Sequence, residues 1–127
     1  MSPQLIAAVA LGGAIGSVTR YLVGIGSGRL FGMAFPWGTL IINVTGSFLI
    51  GAFIGLFATR WNLSHTVRVF LTVGICGGYT TFSTFSLDAF YLMERGELLS
   101  SATYMVASVV LSVVALVAAI HLVRAMA

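Results

Sequence analysis

Charge is what this chain has least of: 7% of its 127 residues are Asp, Glu, Lys or Arg, where a soluble domain carries about 25%. With 59% of residues apolar, there is too little polar surface to cover a water-soluble globule. Lysine is absent, and the six arginines stand singly at or near segment ends, so no basic patch forms for nucleic acid. No acidic residue precedes Asp88, which leaves the first two apolar segments without the carboxylate that a proton-coupled transporter needs at membrane depth. Cys76 is the one cysteine and excludes a disulfide within the chain. His65 and His121 fall near segment ends, and no nucleophile and base are spaced for catalysis, so the chain is not expected to be an enzyme.

What remains is a series of apolar stretches, each near the roughly 20 residues that cross a bilayer. They predict an all-α integral membrane protein, one membrane domain over residues 1–127, with helices at about 3–26, 36–59, 64–95 and 99–123. Residues 1–4 bear no basic group, unlike a secretory leader, so the first helix is expected to be retained. The glycine-rich segment 24–32 is expected to end it. Pro36 suits the opening of the second helix, and Trp37 and Trp61 lie 24 residues apart, about 36 Å of helix at 1.5 Å per residue, as interfacial anchors would. Asn62 and Ser64 are candidate caps for the third helix and Gly96 its stop. Residues 74–86, GICGGYTTFSTFS, interrupt that helix with three glycines and a run of hydroxyls, so a break is expected there.

An arrangement of four spans puts Arg60, Arg68 and Arg124 on one side and Arg20, Arg29 and Arg95 on the other. Arginine counts in short loops orient membrane proteins, and three against three decides nothing. Two accounts fit that balance: a count over so few charges carries little information, or the chain inserts both ways and two copies pair antiparallel. Small residues at helix-packing spacing (Gly12 and Gly16; Ser47, Gly51 and Gly55; Ser108 and Ser112) permit close helix contact within a chain or between chains.

Two polar stripes cross this apolar background: Thr39, Asn43 and Ser47 on the second helix, and Tyr104, Ser108 and Ser112 on the fourth, each at four-residue spacing and therefore on one face. A single Ser or Thr in a helix commonly bonds the carbonyl one turn back; two stripes together favour a path. Its donors are hydroxyls and one carboxamide, with no central carboxylate, which suits a small anion. Phe82 and Phe85, each followed by a hydroxyl residue, present ring edges of positive partial charge. Arg20 lies where it would add positive potential at a mouth. Backbone freed at a break would expose carbonyls of residues 77–80 to hydroxyls, a partner chain or a hard cation.

The segments GGYTTFSTFS (77–86), GTLIINVTGS (38–47) and GGAIGSVTR (12–20) resemble the Fluc (CrcB) family of fluoride channels, and the resemblance extends over the whole chain. It implies an antiparallel, dual-topology homodimer in the cell (inner or plasma) membrane, passively exporting fluoride through two pores and relieving its toxicity. By that resemblance Asn43, Phe82 and Phe85 coordinate fluoride, and Tyr104, Ser108 and Ser112 form a polar track. Ser83, Thr84 and Asp88, with Thr39, line the pathway, and Arg20 lies at a vestibule. Gly77 and Thr80 offer backbone carbonyls to a structural Na+ at the dimer interface. The alternative is a small dual-topology multidrug transporter, which shares size and charge balance but requires the missing carboxylate.

Overall fold

The computed structural model describes residues 2–126, which fold as helices joined by short turns, with no strand among them. In chain order these are α1 (Pro3–Phe31), α2 (Trp37–Thr59), α3 (His65–Val69), a π-helical segment (Phe70–Cys76), α4 (Gly77–Tyr79), α5 (Phe82–Glu94) and α6 (Leu98–Met126). Among the described residues, α1, α2 and α6 are long and apolar enough to cross a membrane, and the chain is a multi-pass membrane protein. Leu11, Ile15 and Leu22 on α1, and Val106, Val110 and Val113 on α6, face outward and exposed, as lipid-facing side chains do.

The first helix does not stop at residue 26. It runs through the glycines to Phe31 and ends at Gly32, whose φ of 78° no β-carbon-bearing residue adopts easily. A glycine inside a helix costs about 1 kcal/mol. An unsatisfied peptide group in hydrocarbon costs several, so the helix continues. Helix α6 likewise exceeds its expected bounds, from Leu98 to Met126. Pro36 precedes α2 as its cap. Ser64, not Asn62, caps α3 by accepting from the Val67 N–H at 3.3 Å. Gly96, at φ 79°, closes α5, with its N–H on the Met93 carbonyl at 2.9 Å.

Packing is set by glycine. A β-carbon at Gly12 would meet the Phe70 carbonyl at 2.6 Å, and one at Gly78 the Gly13 carbonyl at 2.7 Å, so α1 lies backbone-to-backbone against the π segment and α4. Gly51 does the same for α2 on α6, where a β-carbon would stand 2.5 Å from the Leu116 carbonyl. The Gly12/Gly16 and Gly51/Gly55 spacings thus serve contacts within one chain. Leu40, Phe85, Ala89, Leu92 and Tyr104 form the core, and the buried Ser101 hydroxyl fixes α6 to α5 by donating to the Ala89 carbonyl at 2.9 Å. At the end where α2 meets α3, Phe53, Phe57 and Trp61 form a ladder of rings, with the Arg68 guanidinium 5.3 Å above Phe57. That mixture of indole and cation suits a membrane interface.

Candidate functional site

The helical path from His65 is interrupted at Thr80 and Thr81, not at the glycines: Cys76 and Gly77 both hold α-helical angles, whereas Thr80 (ψ 157°) and Thr81 (φ −151°, ψ 118°) are extended. The interruption is held from α2. Asn43 Nδ2 donates to the Thr81 carbonyl at 2.9 Å, and the Thr81 N–H donates to Asn43 Oδ1 at 2.8 Å. In an unbroken helix that N–H would return to the Gly77 carbonyl; here the carboxamide takes it and Gly77, exposed, is released. Thr81 also caps α5, its hydroxyl accepting from the Thr84 N–H at 3.2 Å. The Thr80 N–H and hydroxyl both return to the Cys76 carbonyl, at 3.0 and 2.9 Å. Arg20 reaches from α1 to the Gly78 carbonyl at 3.2 Å.

Two cavities meet at this point. The outer, about 800 Å³, is lined by Arg20, Thr39, Thr84, Asp88 and Arg95 with the turn between α1 and α2. The inner, about 350 Å³, is lined by Asn43, Ser47, Gly77, Thr80, Phe82, Phe85, Ser108 and Ser112. Thr81 lines both and is the partition. Phe82 and Phe85 have ring centroids 5.4 Å apart, but Phe82 is 76% exposed while Phe85 is 8% exposed and belongs to the core.

Tyr104 and Ser83 line neither cavity. Tyr104 is wholly buried, 5.2 Å from the Phe85 ring, and its hydroxyl donates to Asp88 Oδ2 at 3.1 Å. It therefore links a wall of one cavity to a wall of the other. Ser83 is exposed, its hydroxyl 3.4 Å from that of Thr81.

Ser108 stands apart from the other hydroxyls. Thr19, Thr45, Thr59, Thr72 and Ser86 all bond the carbonyl four residues back, the usual refuge of a hydroxyl in a helix. Ser108, 5% exposed, does not: among the described residues its Oγ is the buried side-chain polar atom with no partner. Leaving such a group unsatisfied costs about 1–3 kcal/mol. Asn43 adds a second unspent donor, since a carboxamide has two N–H groups and one is committed to Thr81. The inner cavity is lined by Ser47, Ser112, the Asn43 carboxamide and the two phenylalanines, with Ser108 Oγ buried behind its wall and no residue on that wall charged at neutral pH.

The family described as CrcB-like protein, Camphor Resistance (CrcB), matches residues 7–120. The chain belongs to this family. Among relatives of the CrcB chain, a fluoride-specific ion channel FluC 1 of Nitrobacter hamburgensis is 70% identical over 124 residues, 98% of each chain. A fluoride-specific ion channel FluC of Nitrobacter winogradskyi is 69% identical over the same coverage, and one of Agrobacterium fabrum is 58% identical over 94% of this chain and 95% of its own. In the CrcB chain the residue that sequence reasoning passed over is Thr81. Its signal was a hydroxyl residue three positions before Thr84, at the spacing of a helix cap.

Proposed function

We propose that this chain is a fluoride channel, carrying the ion between the outer and inner cavities past Thr81. The observation that supports it most is the unpartnered Ser108 hydroxyl, buried behind the wall of a cavity whose own donors are all neutral. Fluoride is small and strongly hydrated, so losing its water must be offset by several short hydrogen bonds. Ser108, the spare Asn43 N–H and Ser112 are placed to give them, with the edges of Phe82 and Phe85 admitting an anion where water finds little to bond. Helix α5 begins at Phe82, so its open N–H groups and the positive end of its dipole add to the anion's stabilisation. Arg20 raises the potential at the outer cavity, with Thr39, Thr84 and Asp88 on its wall, and Tyr104 couples the two cavities through Phe85 and Asp88.

In this proposal the segment from His65 to Glu94 is a fourth, broken span of the cell membrane, at about 1.5 Å per residue long enough for a hydrocarbon core of about 30 Å. Two chains pair antiparallel. Phe82 in the open and Gly77 exposed at the break support a partner covering that face. The neutral carbonyls of Gly77 and Thr80 suit a hard cation such as Na+, since hard cations take oxygen ligands, and one chain's pair is too few to enclose it. Bound between two chains, Na+ would neutralise the carbonyl ends of both α4 helices and tie the breaks together. Passive export follows from an exit with no coupled ion, and it relieves fluoride toxicity.

Purified protein in liposomes tests the function: with potassium and valinomycin balancing charge, loaded fluoride should escape within seconds to minutes and loaded chloride should stay. No fluoride release, or equal chloride release, would overturn it. Two lysines added to the C-terminus should bias insertion and lower export, and an oppositely biased copy should restore it. Failure to restore would count against antiparallel pairing.

A further inference from the structure

Helix α4 is Gly77, Gly78 and Tyr79, so Tyr79 carries its one side chain, and α4 is held sideways either by backbone contact or by that phenol. On the α1 side the grip is backbone: a β-carbon at Gly16 would stand 2.7 Å from the Tyr79 nitrogen. On the α2 side it is the ring. A β-carbon at Gly46 would collide with the Thr80 methyl and stand 3.1 Å from the Tyr79 ring, so the interruption crosses α2 at Gly46. The Tyr79 hydroxyl lies 2.8 Å from Thr45 Oγ1. Thr45 has a single hydroxyl proton, and its 2.6 Å bond to the Ile41 carbonyl takes it, which makes Tyr79 the donor. A phenol this far inside a membrane span has no water to bond, so Thr45 is its outlet. At about 100° per residue, Gly46 lies between Thr45 and Asn43 around α2. The crossing is therefore gripped on both sides, at Tyr79 by Thr45 and at Thr81 by Asn43.

We propose that Tyr79 and Thr45 are a positioning pair for conduction, the second jaw of a clamp whose first is Asn43. It rests on fluoride passing Thr81. Neither residue lines either cavity, so the pair acts through the backbone it holds. With Asn43 alone the interruption would pivot about one point. The second contact fixes its direction, and with it the Gly77 and Thr80 carbonyls and the Thr81 partition.

Single-channel fluoride current in planar lipid bilayers reads each assembled channel and not how many fold, so it separates positioning from stability. Tyr79→Phe and Thr45→Val should each cut that current about fivefold, the scale of one hydrogen bond. The double variant should fall no further than either, because both substitutions remove the same contact. Thr45→Ser keeps the hydroxyl and should stay within about twofold of wild type. Wild-type current in Tyr79→Phe, losses that multiply in the double variant, or a Thr45→Ser channel as poor as Thr45→Val would each overturn the proposal. No fluoride current from wild type would instead defeat the channel function. Thermal unfolding midpoints of the same variants would then decide the clamp, equal shifts in the single and double variants supporting it and additive shifts refuting it.

Discussion

The outer cavity holds about 800 Å³ and has Arg20, Asp88 and Arg95 on its wall; the inner holds about 350 Å³ and has no residue charged at neutral pH. In the larger cavity, salt solution that enters screens a fixed charge over about 8–10 Å, so the charge shifts the local ion concentration modestly and holds nothing tightly. The same charge in the narrow cavity would either repel the anion or bind it too firmly to leave, and conduction needs neither. Neutral donors avoid both outcomes. The difference between the two spaces thus separates gathering an ion from dehydrating it, with the Asn43–Thr81 pair between them.

That contrast is open to attack at its boundary first. Asn43→Ala removes both hydrogen bonds to Thr81 and an inner-cavity donor at once, leaving two buried backbone groups unmet at about 1–3 kcal/mol each. Fluoride efflux from liposomes should fall by about 100-fold or more, since 1.4 kcal/mol is about tenfold in rate; near-normal efflux would dissolve the boundary. On the outer side, Asp88→Asn leaves an oxygen to accept from Tyr104 and removes only a charge. Efflux should rise about two- to threefold at low salt and return to the wild-type rate at 0.5 M salt, as screening predicts. A change as large as that of Asn43→Ala would make the two cavities chemically equivalent.

Much of this was legible in the sequence, and the gaps have physical causes. Apolar length located α1, α2 and α6, and four-residue spacing placed Asn43, Ser108 and Ser112 on faces that line one cavity, because both signals are properties of a helix by itself. The helical course of residues 24–31 was hidden, since glycine propensity is measured in water and lipid penalises an open backbone more. The position of the break was hidden too: it depends on a carboxamide 38 residues away choosing the Thr81 backbone. Tyr104 looks like a member of a polar stripe, but its burial against Phe85 follows from how α5 packs on α6, which no stripe reports.

Ser108 carries the central claim, that a neutral hydroxyl is kept buried and unpaired for a passing ion. Ser108→Ala should be measured for thermal unfolding in fluoride-free detergent and for fluoride efflux in liposomes. Removing an unsatisfied hydroxyl should stabilise the fold by about 1 kcal/mol, raising its midpoint by a few degrees, while efflux falls about tenfold. A raised midpoint with unchanged efflux would mean that the hydroxyl meets no ion, and the account would be contradicted.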